Sequence, residues 1–582
     1  MAGPTEASSL VDLLEQRQQL SDMLQQHPYD LVLYLRRAVV YTDMGYPDLA
    51  ASDAFQAYRL CCDVDEVACY LEAFQAIRGY AVIVKAKGEP AGLPRVLRGV
   101  TLEQNSAVSD DEPLPNVVPQ PDEEPIPYEP RPIANYIADV DSGGHDGDYN
   151  PADLPDRGFA RREVYPWNTF EPQRCSDASL TLLNQKLARV APKCEVRAVQ
   201  LPVLSAQGLS ESAAALENWQ LGIFAKEPIA AGEVVLREHS VLTANNRHKA
   251  EACDACGSDI FGTNNATDNR HSNVDSTVGC NHCCAVFCGE ECYGRALDAY
   301  HLPACRWKDF IPSLKDWNPQ DANDELYMLL VTRVLAIAES QKLHSLELEE
   351  VKYLWGDFVP IATNAQEAIS SHHLSPYSPE VVAMAAAGGY PPAAWSLPFN
   401  FLDHIIKPVV FLEMSRVNIY KNPVKLDGWV LNTLYAKLRG TASARESRLD
   451  DPPFMAAVHP LWSLANHDCD PNVTWEWDGC MVLRAKEERV QLAEDKVAGT
   501  TRPGGIAAGE EILNHYCDVD LPVQLRREWV RGSLGGTCMC LRCQDEAAAE
   551  RGIKGRCPRA TQILRVSVRA TNRQETAPDI YN

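Results

Sequence analysis

Apolar positions change their period several times along the chain. From residue 10 to about 85 they recur at helical spacing. The run Tyr34-Leu35-Arg36-Arg37-Ala38-Val39-Val40-Tyr41, the turn residues Gly45-Tyr46-Pro47 and the small-residue run Ala54-Phe55-Gln56-Ala57 predict a helix-turn-helix. From about 104 to 160 the periodicity vanishes. Acid triplets at 110–112 and 122–124 and a dense run of prolines predict a linker without a core. Order resumes near Tyr165-Pro166-Trp167-Asn168. Residues 176–191 predict a helix through Leu180, Leu183, Leu187 and Val190 after a Ser176-Asp177 start, and Glu195–Leu204 alternates as a strand. Strands are also expected at 232–236, Val473–Trp477, Met481–Ala485 and Ile512–Leu513, the last two separated by a polar insertion at 486–505. Residues 306–460 read as mostly helical. There Asp324 is expected to cap a helix with Leu326, Leu329, Leu330, Val334 and Ile337 on one face, and Asp427 another with Leu431, Leu434 and Leu438.

A chain of 582 residues is too long for one compact core, and three or four structural units are expected. No apolar run reaches membrane-spanning length, and early charges at Asp12, Glu15 and Arg17 argue against a secretion signal, so an intracellular place, nucleus or cytoplasm, is expected. The net charge of −26 disfavours nucleic acid and favours basic protein segments as partners.

Twenty cysteines sit mostly at metal-binding spacings rather than in a disulfide framework. Cys253-x-x-Cys256, Cys280-x-x-Cys283, Cys288-x-x-x-Cys292 and His301-x-x-x-Cys305 provide the four ligand pairs that two tetrahedral zinc ions require. Cys284 competes with Cys283, and the spacing from Cys280 favours Cys283. A third cluster, Cys538, Cys540 and Cys543, lacks a fourth ligand nearby, which Cys469 can supply. Cys469 lies in Asn466-His467-Asp468-Cys469-Asp470-Pro471-Asn472. Pro471 forbids a helix there, so a kinked loop presents the polar pair Asn466 and His467, a donor and acceptor set suited to a polar cofactor.

That heptad, the Gly509-Glu510-Glu511-Ile512-Leu513-Asn514-His515-Tyr516 segment and the CMCLRC run together resemble the SET domain of protein lysine methyltransferases. The paired ligands between 253 and 305 are similar to a MYND zinc finger, and the order of parts resembles the SMYD lysine methyltransferases. The helix-turn-helix near the start resembles the tetratricopeptide (TPR) type, an ordinary helical hairpin being the alternative. The resemblance implies an α+β fold with these parts: a helical TPR-like region (1–103), the acidic linker (104–160), a pre-SET segment with the first part of the SET domain (161–252), the MYND finger (253–305), a helical SET insertion (306–460), the SET core (461–530), a post-SET zinc segment (531–545) and a tail (546–582). By the MYND analogy Cys253, Cys256, Cys288 and Cys292 hold one zinc, and Cys280, Cys283, His301 and Cys305 a second. Cys469, Cys538, Cys540 and Cys543 hold a third.

The resemblance further implies S-adenosylmethionine as cofactor, held by Leu221, Gly222, Asn466 and His467. It implies Tyr516 as the residue that orients the lysine amine. The substrate would be a lysine-bearing protein, histones among the candidates, with peptide partners for the finger or the helical region and neither nucleic acid nor membrane. In the family this insertion walls the clefts, and 437–443 is the expected wall. Two departures stand out: Gln220 replaces the first glycine of a G-x-G turn, and Gly536 replaces the aromatic that stacks on adenine in relatives. They leave a second expectation, a SET-like scaffold without catalysis that recruits partners.

Overall fold

The computed structural model describes residues 10–44, 46–61, 159–161, 164–201, 204–205, 208–209, 219–245, 252–260, 277–283, 285–307, 322–356, 396–398, 409, 412, 417–446, 453–490, 492, 502–534 and 537–554. The expected linker up to 158, Cys284 and Gly536 lie outside the described residues. So do the helices expected beyond 61.

Three helices open the chain: α1 (Leu10–Gln26), α2 (Leu31–Asp43) and α3 (Pro47–Cys61). The Asp30 carboxylate caps α2 by accepting from the amides of Val32 and Leu33, and Pro47 at the first position of α3 forfeits no helical hydrogen bond. Small residues Ala50, Ala51, Ala54 and Ala57 bring α3 close to α2, whose Leu33, Tyr34, Ala38 and Tyr41 are buried against them.

Next come α4 (Asp177–Val190), β1 (Cys194–Gln200), β2 (Trp219–Ala225), β3 (Val234–His239) and β4 (Leu242–Asn245). The Ser176 hydroxyl accepts from the Ser179 amide and starts α4, whose Leu183 and Leu187 are buried. Then follow α5 (Ala322–Gln341), α6 (Gly428–Arg439), β5 (Ala442–Glu446), β6 (Pro453–Val458), β7 (Asn466–His467), β8 (Val473–Trp477), β9 (Cys480–Ala485), β10 (Leu513–Asn514), α7 (Val523–Leu534) and α8 (Leu541–Lys554). The class is α+β. Its sheets are small: β1 with β2, β5–β6–β4 and β8–β9–β3 are antiparallel, whereas β7 and β10 pair in parallel. No helix among the described residues is long and apolar enough to cross a membrane.

Several expectations shift. The stretch read as mostly helical contains strands β5 and β6, and α5 packs on β4 and β6. That helix begins at Ala322, so Asp324 lies inside it and is not its cap. It is buried nearly all round, with Tyr327, Met328, Val331 and Leu335 inside as well as the expected face. The run 437–443 ends α6 and enters β5. Lys437 points into the core, where its ammonium meets Glu171 at 2.7 Å and the Leu354 carbonyl at 2.6 Å. Phe159–Arg161, at the end of the expected linker, pairs with Ser396–Pro398.

The opening helices need a neighbour to cover their apolar face, and α6 supplies it. Asp427 precedes α6 without capping it through its side chain. Its carboxylate lies 2.7 Å from Arg37 Nη1 instead, while the rest of the guanidinium forks onto Asp53 at 2.7 Å through both Nε and Nη2. Arg37 Nη1 also reaches Ser21 on α1 at 3.0 Å. Around this centre Tyr41, Tyr46, Tyr165, Trp167 and Trp429 pack ring on ring, with Arg17 4.6 Å above Trp167. Gly428 makes the approach possible, because a Cβ there would lie 2.6 Å from Ser52 Oγ.

A second buried acid fixes the turn that leads to the heptad. Glu238 on β3 accepts from the amides of Leu461 and Trp462 at 3.0 and 2.7 Å. Burial pushes its carboxyl up to about 7, against the pull of those two donors.

Two outcomes are expected. Arg37→Ala strands Asp53 and Asp427 in the core, and chemical denaturation should show a loss of about 3–5 kcal/mol. For Glu238, the folded carboxyl holds its proton to higher pH than the unfolded one. Its contribution is therefore greatest below about pH 4.5 and is lost as pH rises through about 7, on the order of 3 kcal/mol. Unfolding curves of Glu238→Gln across that window should fall less steeply with pH than those of the unsubstituted protein.

Candidate functional site

Two chain segments lie side by side at the centre of the candidate site. One is 466–472, kinked by Pro471, and the other is 510–516. Asn472 joins them from within the core: it is fully buried, its Nδ2 donates to the Glu511 carbonyl at 2.7 Å, and its Oδ1 accepts from the Leu513 amide at 2.8 Å. The Asp468 amide adds a bond to the Asn514 carbonyl at 2.8 Å, so β7 and β10 are held in register. Asp470 braces the outside of the loop by pairing with Arg502 at 2.6 Å and Arg489 at 3.2 Å.

The strand β2 closes a third side. Ile512 donates to the Ile223 carbonyl and Ala225 to that of Glu510, which sets Gly222 beside Glu511. Asn466 Nδ2 lies 3.1 Å from the Leu221 carbonyl and 2.7 Å from Glu511 Oε1. Leu221 contributes its backbone here, since its side chain is buried in the core. At Gly222 an added Cβ would lie 2.6 Å from Glu511 Oε1 and 3.1 Å from Asn466 Nδ2, so only a bare backbone suits this wall. Gln220, one of the two departures, turns its side-chain oxygen to the Arg174 guanidinium.

Tyr516 stands between these parts. Its hydroxyl donates to the Ala465 carbonyl at 3.0 Å, and its amide donates to His467 Nδ1 at 3.0 Å. Burial, with the Glu511 charge adding to it, raises the phenol above its ordinary range and keeps it protonated. His467 is pushed down to about 3, chiefly by burial, and is a neutral ring. Because Nδ1 accepts, its proton sits on Nε2, 3.3 Å from Cys469 Sγ. Both ring nitrogens are thus engaged within the protein.

Among the described residues eleven cysteines and His301 gather as three groups of four: Cys253, Cys256, Cys288 and Cys292; Cys280, Cys283, His301 and Cys305; and Cys469, Cys538, Cys540 and Cys543. Sulfur separations of 3.5–3.9 Å recur, as in Cys288–Cys292 and Cys469–Cys538. A tetrahedral ion with bonds of about 2.3 Å would set its sulfurs about 3.8 Å apart, whereas a disulfide requires about 2.05 Å. All three groups could hold zinc. Arginines stand ready to offset thiolate charge: Arg295 lies 2.9 Å from Cys292 Sγ, Arg526 3.7 Å from Cys543 Sγ, and Arg542 reaches the Cys469 carbonyl at 2.7 Å. Cys517 clusters with His467 and Cys469, but the imidazole proton directed at Cys469 argues against a further ion there.

The structure brings together the expected Leu221, Gly222, Asn466, His467, Tyr516 and Cys469. Sequence reasoning missed Glu511, Asn472 and Glu238. The G-E-E segment and the second asparagine of the heptad marked two of these positions without indicating their roles. Glu238 had no signal beyond its place on a strand.

Residues 220–517 match the SET domain family. "Histone-lysine N-methyltransferase SET5" of Eremothecium gossypii is 22% identical over 343 residues, covering 56% of this chain and 59% of that protein. The protein of the same name from Vanderwaltozyma polyspora is 37% identical over 86 residues, 15% of this chain and 14% of its own length. "Histone-lysine N-methyltransferase SMYD3" of Mus musculus is 32% identical over 90 residues, 15% and 17% of the two chains. The matched region takes in nearly all of β2, the first two four-ligand groups, Cys469 of the third, the heptad and Tyr516, just over half of the sequence. The chain belongs to the SET domain family.

Proposed function

We propose that this protein is an S-adenosylmethionine-dependent protein lysine N-methyltransferase in which Tyr516 orients the substrate amine. The observation that carries this reading is the convergence of Gly222, Asn466 and the Tyr516 hydroxyl around one backbone turn, with the hydroxyl on the Ala465 carbonyl at 3.0 Å. Family membership and the names of the relatives support it.

S-adenosylmethionine, when bound, supplies a methyl group carried on a positively charged sulfur. Leu221, Gly222 and Asn466 hold its amino-acid part, and the backbone at His467 its adenine side. A lysine amine reacts only when neutral, and burial beside a positive centre lowers its proton affinity. The neutral Tyr516 phenol commits its proton to Ala465, which leaves its oxygen lone pairs to accept from the amine and line it up. Positioning and exclusion of water then carry the rate, without a dedicated acid and base pair. The substrate class is a protein lysine, and the net charge of −26 suits a basic target such as a histone.

Each four-ligand group holds one zinc ion in this reading, the first two in a MYND-type finger and the third in a post-SET segment. The third ties α7 and α8 to the loop that carries Asn466. The helices α1 to α3 serve as a TPR-like module that orients or recruits protein partners.

Tyr516→Phe should keep S-adenosylmethionine affinity by calorimetry while turnover on a methyl-accepting protein falls roughly 100- to 1,000-fold. Unchanged turnover would reject the role given to the phenol. Elemental analysis of the purified protein should find three zinc ions per chain. Cys469→Ser should lower that to two and weaken cofactor binding, since the loop then loses its anchor.

A further inference from the structure

At its C-terminal end α5 turns out of the core through Lys342, whose φ of 57° is the one positive value at a non-glycine residue among those described. Glycine commonly takes such a place, because a Cβ is costly there. A lysine instead puts a long cationic side chain on the surface. The next residue, Leu343, is exposed, and its carbonyl accepts from Lys425 Nζ at 3.1 Å, which joins this turn to the loop 418–426 ahead of α6. The Val424 backbone meets the ring of His344 in the same place. The loop also reaches the opening helices. Tyr29, between α1 and α2, lies against Tyr420 with ring centroids 5.5 Å apart, and its hydroxyl accepts from Asn418 Nδ2 at 3.3 Å.

The seam between the opening helices and the insertion therefore carries one strip of mixed character. Leu343, Val424 and Tyr29 are 39–41% exposed, Lys342 and Lys421 are exposed, and Lys425 is half-buried. Among the described residues none of these three lysines forms an ion pair. The acids alongside are committed elsewhere: Asp30 caps α2, Glu347 accepts from the His344 amide at 3.1 Å, and Asp427 pairs with Arg37. Glu339, one turn before Lys342, is exposed and forms no ion pair among the described residues. The dipole of α5 accounts for a cation at Lys342. It accounts neither for the two lysines of the loop nor for the large apolar side chains beside them. In a chain of net charge −26, a cationic and apolar strip is the complement of an acidic segment that carries apolar side chains.

We propose that this strip binds an acidic segment of a partner protein, with carboxylates against Lys342, Lys421 and Lys425 and apolar side chains against Leu343, Val424 and Tyr29. Nucleic acid fits less well, since the net charge repels phosphate and a phosphate backbone leaves the apolar residues without a partner. A basic methyl-accepting segment is repelled by the same lysines. The occupant is thus distinct from the substrate, and the assignment stands apart from the methyltransferase reading.

A random peptide library selected on the immobilised full chain, with counter-selection on a Lys421→Glu, Lys425→Glu double variant, tests this. The peptides retained should share aspartate or glutamate spaced among leucine, phenylalanine or tryptophan. By fluorescence anisotropy such a peptide should bind the double variant roughly tenfold or more weakly, and should weaken on the unsubstituted chain as salt is raised. Val424→Ser changes no charge, and should weaken the same peptide several-fold. Lys226→Glu, at an exposed lysine just past β2, should leave its affinity unchanged. Melting temperatures of all three variants should match that of the unsubstituted chain. Survival of no peptide through counter-selection, a basic or uncharged consensus, or full affinity in Val424→Ser would overturn the proposal. An oligonucleotide that binds more tightly than the peptide and is lost in the double variant would reassign the strip to nucleic acid. Sedimentation showing a dimer that the double variant abolishes would reassign it to a second copy of this chain, and either result overturns the proposal.

Discussion

The candidate site depends on one buried amide. Asn472 uses both ends of its side chain on the segment that carries Glu511 and Leu513, and its backbone carbonyl accepts from Lys486 beyond β9. Asn472 is buried away from solvent, so a residue unable to make those bonds would leave several polar groups unpaired in the core. Through Asn472 the loop at 466–472 and the strand before Tyr516 become a single rigid body. Everything else at the site is attached to one of these two segments: Gly222 through the pairing of β2 with residues 509–512, Cys469 through its place in the loop, and Tyr516 through the chain itself.

The parts that surround this body are held by charges removed from water. Arg37 joins α1, α2, α3 and the start of α6, Glu238 holds the turn before Ala465, and Lys437 fixes the end of α6 against residues 171 and 354. Each ion is paired or hydrogen-bonded, as burial demands. Arrangements of this kind add less to stability than their number suggests, because desolvation offsets much of the attraction. Their effect is on geometry, since a guanidinium fork or a carboxylate on two amides permits little sliding.

Much of the site was legible because its signals are local. Metal ligands recur at short spacings, so Cys253 to Cys305 and the late cysteines could be grouped by distance along the chain, and Pro471 marked a kinked loop by itself. The helix at 177–190 and the strand at 473–477 announced themselves through caps and alternation. What could not be read were the long-range choices. The sequence offers no reason for Asp427 to prefer Arg37, 390 residues away, over its own helix amides. The periodicity of α5 did not distinguish one apolar face from burial all round, and β5 and β6 acquire their strand character from β4. The likeness of the heptad to a cofactor loop suggested a ligand role for the His467 ring, which instead bridges Tyr516 and Cys469.

The separation between Arg37 and Asp427 also orders events in time. At about 5–20 residues per second, the 390 residues between them take roughly 20–80 s to synthesise. For that interval the newborn helices α1 to α3 have Asp53 but not Asp427, and Tyr46 lacks the Trp167 and Tyr165 rings until those emerge. The hairpin therefore begins life as an incomplete surface with its aromatic face uncovered. Its completion marks the moment at which α6 has left the ribosome.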